Sequence, residues 1–366
     1  YERYMLHAIE LAQRGWGNTH PNPIVGAVIV EDDQVVAEGW HRAAGQDHAE
    51  VDALKKLGRR PREGAELYVT LEPCSTKGRT GACTDAIIES GIKVVVVGAF
   101  DPNPAHAGKG LDILCDAGVS VIDGILSQEC ADLNLIFNHW ILKGEPLIAA
   151  KMAITMDGKF AAASGHSQWV TGEMARADVM RWRRYFPAIA VGAETALQDN
   201  PSLTARGLED VWCPIRFIFD RNLKTEAAVD SLKLYNDSFK DRTIVLHSET
   251  VAAESREIIE ASGIQLWGLP EANGHLDWQA FRERCKEADI CGVYLEVGPS
   301  LATSVIENQL ADYLFIYQAP KLMSDAAAPG LGSLRNSKSM DEVFALRSMR
   351  MENYGEDRLT RGFIER

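Results

Sequence analysis

The chain has no run of apolar residues long enough to cross a bilayer, which excludes a helical membrane protein as its class. Its start does not read as a signal peptide. The opening YERYMLHAIELAQRG is an amphipathic helix pattern, and a start at Tyr1 rather than Met suggests a clipped or partial N-terminus. Positive charge is in deficit: 38 Lys and Arg face 52 Asp and Glu, a net charge of −14. Phosphate contacts supply most non-specific affinity for nucleic acids and anionic membranes, so this balance disfavours both and favours a small-molecule substrate. The cysteines are few, odd in number and dispersed: Cys74, Cys83, Cys115, Cys130, Cys213, Cys285 and Cys291. That set reads as reduced and cytoplasmic, not as a disulfide framework. No G-x-G-x-x-G fingerprint occurs in residues 146–366, so an ordinary Rossmann dinucleotide site there is unsupported.

What is present is a repeated alternation of strand and helix patterns, the mark of an α/β protein. Two domains are the natural prior for 366 residues. Residues 2–15 read as a helix, 24–30 and 34–40 as paired strands, 48–57 as a helix and 66–71 as a strand. A helix from Cys83 to Glu89, an apolar strand at 93–100 and helices at 109–117 and 127–142 complete the first set. The pattern breaks at Lys143-Gly144-Glu145-Pro146 and restarts, placing domains at 1–145 and 146–366. Later strands are expected from 146 and at 188–193, 214–220, 243–247, 292–298 and 311–317.

Within the first domain stand His48-Ala49-Glu50, Pro73-Cys74 and Cys83. One imidazole and two thiolates make three zinc ligands and leave a fourth tetrahedral position open for water. Glu50 is not needed as a ligand and is placed to shuttle protons, the logic of zinc nucleobase deaminases. Residues two apart project about 200° from each other in mid-helix, so His48 and Glu50 can share a site only at an open first turn. Each piece alone is commonplace. A structural zinc or a reduced cysteine pair is the plainer alternative, although no fourth Cys or His ligand is near in sequence.

The general deaminase signature puts two residues between its cysteines, whereas here residues 75–82 intervene. That insertion carries Lys77, Arg79 and Thr80, either a phosphate grip or a solvated basic loop. PNPIVGAVIV, GWHRAAGQDHAE, TLEPCSTKGRTGAC and DPNPAHAGKG resemble the deaminase half of the bacterial bifunctional riboflavin-biosynthesis deaminase–reductases. The resemblance implies a cytidine-deaminase-like mixed-sheet sandwich with zinc on His48, Cys74 and Cys83 and Glu50 as proton shuttle. It further implies substrate contacts at Asn22, His41, Arg79, Asp101 and Asn103. Asn22 and His41 read equally well as turn-capping residues.

In the second domain, GPSLATS (298–304) follows a buried strand and opens a helix, a backbone entry that suits a phosphate. An ordinary strand–helix turn with Ser300 as N-cap explains it as well. SGHSQWVTG (164–172) offers an aromatic and small polar residues to a planar ligand, and VGAETALQDNPSLTAR (191–206) sets Thr195, Asp199 and Arg206 around an Asn-Pro turn. These segments, with KMAITMDGKFA, resemble the reductase half of the same family, which implies a dihydrofolate-reductase-like fold using NADPH. By position, Ala153, Trp169, Thr195, Asp199, Arg221 and Gly298, Pro299, Ser300, Leu301, Ala302, Thr303 and Ser304 would contact NADPH. Ser167, Arg183, Leu203, Arg206 and Glu296 would contact substrate, with Lys151 and Asp199 as acid–base or charge-positioning groups. Many relatives carry a second glycine where this chain has Val297.

The resemblance implies two consecutive steps: zinc-dependent deamination of a phosphorylated diaminopyrimidinone, then NADPH-dependent reduction of its ribosyl chain. It also implies a homo-oligomer, dimer or tetramer. Two other readings stay open at this stage: a nucleoside or tRNA-base deaminase with an unrelated C-terminal domain, and a zinc-stabilised binding module without turnover.

Overall fold

The computed structural model describes residues 1–76, 81–207, 210–331 and 338–365. Two compact units follow one another, Tyr1–Glu145 and Pro146–Arg366.

The first unit runs α1 (Glu2–Gln13), β1 (Gly26–Glu31), β2 (Gln34–Trp40), α2 (Ala49–Leu57), β3 (Glu66–Leu71), α3 (Cys83–Ser90), β4 (Val94–Ala99), α4 (Lys109–Asp116), β5 (Ser120–Ile122), α5 (Ser127–Leu133) and α6 (Leu135–Lys143). Its five-stranded sheet has the order β2-β1-β3-β4-β5. The β1–β2 hairpin and the β1–β3 pair are antiparallel, and β3, β4 and β5 are parallel. Met5, Ala8 and Ala12 lie buried at helical spacing, so α1 presents one apolar stripe to the sheet. Helix α2 approaches β2 at Gly39, where a Cβ would meet the Ala49 carbonyl oxygen at 2.1 Å. That close approach brings the start of α2, with His48 and Glu50, down onto the sheet.

The helix expected over 127–142 is two helices, broken at Asn134. The cause is a competing bond. Asn134 Oδ1 accepts from Ile24 N at 2.8 Å while Nδ2 donates to Ile24 O at 2.9 Å. An amide that satisfies a buried stretch of main chain on both sides outweighs one more helical turn.

The second unit contains β6 (Leu147–Thr155), α7 (Glu173–Tyr185), β7 (Ala188–Gly192), α8 (Ala193–Asp199), β8 (Ile215–Phe219), α9 (Lys233–Asn236), β9 (Thr243–Ser248), α10 (Ala253–Ala261), β10 (Gln265–Leu269), a small hairpin of β11 (Glu271–Ala272) and β12 (His275–Leu276), α11 (Trp278–Glu287), β13 (Gly292–Glu296), α12 (Pro299–Glu307), β14 (Tyr313–Ala319), β15 (Leu346–Tyr354) and β16 (Asp357–Ile364). Nine strands form one sheet in the order β10-β9-β8-β7-β13-β6-β14-β16-β15. From β10 to β14 neighbouring strands are parallel, and β16 and β15 close the sheet antiparallel. This is the expected dihydrofolate-reductase-like architecture. One face of the parallel core is apolar, with Ile148, Ala150, Ala190, Phe217, Leu246 and Leu295 buried between sheet and helices, while the other also buries Arg216, Thr243 and His247. The first strand of the unit, β6, lies inside the sheet, and the chain order departs in opposite directions from the β13-β6-β14 centre. Such a reversal opens a crevice at the carboxyl ends of the strands, where α/β sheets bind ligands.

Candidate active sites

In the first unit, His48 is the N-cap residue of α2, in extended conformation (φ −72°, ψ 161°), and Glu50 lies in the first helical turn. This is the open end at which two residues so spaced can serve one site. Cys83 is the first residue of α3, and Cys74 follows β3 through Glu72 and Pro73. His48 Nδ1 lies 3.2 Å from Cys83 Sγ and 3.4 Å from Cys74 Sγ, and the two sulfurs are 3.4 Å apart. Tetrahedral zinc with its usual Zn–S and Zn–N bonds needs ligand separations of roughly 3.5–3.8 Å, so the three donors fit that ion after a shift of a few tenths of an ångström. Among the described residues no other cluster of three His, Cys, Asp or Glu offers donors this close.

The electrostatics suit a metal. The Cys74 thiol is pulled down to about 4 by a hydrogen bond from Cys83 and by His48, a cysteine that exists as thiolate at neutral pH. Glu50 is 3% exposed, and burial raises its carboxyl to about 7. A carboxyl so poised both takes and gives a proton near neutrality.

His41 follows β2 and is buried, its ring edge-on to His48 with centroids 5.4 Å apart. Its Nδ1 lies 3.0 Å from the Asp47 carbonyl oxygen, so Nδ1 carries the hydrogen and donates it. Burial holds the imidazole below its usual range, hence neutral. Nε2 is left as a buried acceptor with no partner among the described residues. Asn22 lies in the loop before β1, where its main-chain N–H donates to Thr19 O. Asp101 and Asn103 cap their own loop, accepting at one oxygen each from Asn103 N (2.8 Å) and Ala105 N (3.0 Å). Asp101 nevertheless lines one cleft with Cys74 and His106. Arg79 lies outside the described residues.

One residue that the motif reading passed over organises this loop. Glu72, buried, accepts from Asp101 N (3.2 Å), Gly108 N (2.9 Å) and Gly110 N (2.9 Å). Its signal in the sequence was an acidic residue at the end of an apolar strand, directly before Pro73-Cys74.

In the second unit Glu296 ends β13 and Lys151 lies midway along β6. Lys151 and Glu296 are register partners on β6 and β13. Arg183, on α7, makes a two-point ion pair with Glu296 and donates to Thr204 O at 3.0 Å. Burial lowers the Lys151 ammonium. Burial also works to raise Glu296, but the charges of Arg183 and Lys151 outweigh it and hold the carboxylate low. Leu203 is buried with φ +50°, and Arg206 beyond it is exposed.

The residue capping α12 is Gly298, in extended conformation, and not Ser300. A Cβ at Gly298 would sit 3.6 Å from Thr195 Oγ1 of α8, so the 298–304 segment and Thr195 line the same place. Unpaired N–H groups at the first turn of α12, with a hydroxyl beside them, suit the phosphates of NADPH. Ala153 sits on β6 two residues beyond Lys151, hence on the same face of the sheet. Asp199, exposed at the end of α8, has its carboxyl raised by partial burial. Ser167 and Trp169 lie in the loop before α7, the Trp169 ring exposed with the Arg176 guanidinium 4.6 Å from its centroid. Arg221 pairs with Glu271 at 3.6 Å and with the Gly274 carbonyl.

Residues 1–99 match the family model described as the cytidine and deoxycytidylate deaminase zinc-binding region, and 146–360 match the RibD C-terminal domain. Riboflavin biosynthesis protein RibD of Aquifex aeolicus is 38% identical over 97% of this chain and 96% of that protein. Its namesake from Escherichia coli is 39% identical over 92% and 93%. A solved structure from Thermotoga maritima, described as a diaminohydroxyphosphoribosylaminopyrimidine deaminase/5-amino-6-(5-phosphoribosylamino)uracil reductase, is 34% identical. It covers 100% of this chain and 99% of its own, with a TM-score of 0.79. Acinetobacter baumannii RibD aligns with a TM-score of 0.77 at 33% identity, over 100% and 99% of the two chains.

A zinc-site pyrimidine deaminase fold followed by a dihydrofolate-reductase-like unit defines a two-activity enzyme, one half hydrolytic and the other reductive. Zinc belongs to the first half, NADPH to the second. The chain belongs to the RibD family, the bifunctional deaminase–reductases of riboflavin biosynthesis. No helix among the described residues is long and apolar enough to cross a membrane.

Proposed function

We propose that residues 1–145 deaminate a diaminopyrimidinone bearing a ribosylamine 5′-phosphate and that residues 146–366 then reduce its ribosyl chain to ribityl. The observation that carries the reading is the convergence of His48, Cys74 and Cys83 beside the buried Glu50. Held by these three residues, zinc supplies a Lewis acid that lowers the pKa of water to about 7. Glu50 takes the proton that water gives up and passes it to the departing amino group, so ammonia leaves neutral. His41, its ring edge-on to His48, lies beside the metal ligands and contacts the pyrimidine. Asn22, Asp101, Asn103 and Arg79 complete the substrate contacts.

In the second unit NADPH supplies the hydride. Thr195, the 298–304 segment, Ala153 and Trp169 bind it, with Arg221 at the 2′-phosphate. Lys151 stabilises the negative charge that develops on the ribose ring oxygen as the sugar opens, and Glu296 works against the burial that lowers that ammonium. Asp199 assists as the second acid–base group. Arg183, Ser167, Leu203 and Arg206 hold the substrate.

The protein acts as a homo-oligomer, dimer or tetramer, and the support is β15, an edge strand with Met349 and Met351 exposed. Its compartment is the cytoplasm, in keeping with seven cysteines none of which is in a disulfide. The test supplies the diaminopyrimidinone phosphate and follows ammonia and NADPH separately. Ammonia release without NADPH oxidation would remove the second half of the reading. NADPH oxidation with pre-deaminated substrate alone would remove the first.

A further inference from the structure

Trp169 is 64% exposed, on a loop, with the Arg176 guanidinium over its ring. An aromatic in that position normally samples several loop conformations, and ordering it on ligand binding weakens affinity. Here the main chain behind the ring is tied down at successive residues from different parts of the unit. Lys321, just past β14, donates from Nζ to Trp169 O at 3.0 Å and to Val170 O at 2.7 Å. Arg176, from α7, donates to Thr171 O at 2.7 Å. Asp357, buried at the start of β16, accepts from Gly172 N at 2.6 Å.

Lys321 is itself held. Met156 N donates to Lys321 O at 2.8 Å. The next residue, Asp157 of the MDGK segment, accepts Met323 N at 3.0 Å on Oδ1 and Ser324 N at 2.9 Å on Oδ2. Thr155 Oγ1 donates to Asp157 Oδ1 at 2.6 Å. The turn after β6 therefore fixes the segment that carries Lys321, and Lys321 fixes the loop that carries Trp169.

We propose that Lys321, held through Asp157, is a positioning residue for the nucleotide: it locks the Trp169–Val170 main chain so that the Trp169 ring is set before NADPH binds. The inference rests on the reading of Trp169 as an NADPH contact. Lys321 acts on carbonyls and not on the nucleotide, so its loss weakens NADPH without touching the chemical step.

The test compares Trp169→Ala, Lys321→Met and Lys321→Arg in the full-length protein. Two measurements stand beside turnover: the dissociation constant of NADP⁺ by calorimetry, and amide hydrogen exchange of residues 164–172 without nucleotide. Lys321→Met is expected to speed that exchange about tenfold. It should raise the NADP⁺ dissociation constant and the NADPH KM about fivefold, with kcat changed less than about twofold and the pyrimidine KM unmoved. Lys321→Arg, which keeps charged donors, should restore most of both effects, and Asp157→Asn should move both in the same direction by less. If Trp169→Ala binds NADP⁺ as the parent does, the underlying contact is wrong and the proposal falls with it. If Trp169→Ala weakens binding while Lys321→Met leaves exchange or affinity at the parent value, the contact stands and the positioning role is overturned.

Discussion

Glu296 grips Arg183 at two points, Nε to Oε1 at 2.7 Å and Nη2 to Oε2 at 2.9 Å, while Lys151 sits opposite it on the neighbouring strand. One carboxylate therefore serves two cations, Arg183 buried and Lys151 half-buried. Burial pushes the Lys151 ammonium below the ordinary lysine range, and Glu296 works against that, raising it. If the protonated ammonium is the form that assists ring opening, reduction must fail as pH climbs through this lowered value. Glu296→Gln removes the supporting charge, so the alkaline limb of the kcat–pH profile should move to lower pH. Loss of the Arg183 pair should cost kcat/KM at least roughly tenfold at neutral pH. Profiles of NADPH oxidation at saturating nucleotide check this. A limb that stays put or moves upward would show that Glu296 does not support Lys151.

Glu50 and the second unit share no chemistry, so their losses should separate. Glu50→Gln preserves shape and removes the titrating group. Ammonia release should drop by roughly 10²–10⁴, the range general acid–base catalysis supplies. NADPH oxidation on pre-deaminated substrate should stay within about twofold of the parent. Chelation of zinc should give the same split. Full ammonia release from the Gln variant would sink Glu50 as the proton carrier.

The metal cluster was legible in the sequence because metal and helix-end chemistry leave local marks. His48 and Glu50 could be placed at a helix start from the requirement that residues two apart share one site, and Cys83 from the helix pattern expected to begin there, and they lie there. What escaped were residues whose partners are remote. Asn134 looks like any polar residue inside a helical pattern, and its partner, Ile24, is 110 positions away. Glu72 and Asp157 bind main-chain N–H groups of distant loops, which periodicity does not reveal. Strands β15 and β16 were not anticipated either. The burial of β15 is irregular and mostly exposed, as an edge strand permits, and the alternation that marks a half-buried strand is weak there.

The Asn134–Ile24 bond gives a stability prediction. Asn134→Ala leaves a buried N–H and C=O of Ile24 without partners, each of which carries a desolvation penalty of about 1–3 kcal/mol. Some of that is recovered if residues 127–143 join into one continuous helix, so a net loss of about 2 kcal/mol is expected. Urea unfolding monitored on the first unit checks it. Parent stability in the Ala variant would mean that the helix break has another cause.

Glu31 yields a prediction with a defined pH window. It is buried at the end of β1, accepting from Arg59 Nη1 (2.9 Å), Arg59 Nη2 (2.6 Å) and Arg62 N (2.9 Å). The Arg59 hydrogen bonds, followed by that from the Arg62 main chain, lower its carboxyl from the ordinary 4.5 to about 2. A carboxyl depressed in the fold stabilises fully above its unfolded value and loses that contribution as pH falls through its folded one. Glu31→Gln should therefore melt several degrees below the parent at pH 7. The gap should stay constant down to about pH 5.5 and close between about 4.5 and 2, where the parent must protonate the same group. Thermal unfolding of both proteins across that range checks it. A gap that is independent of pH would mean the Gln variant suffers from altered packing and not from the lost charge.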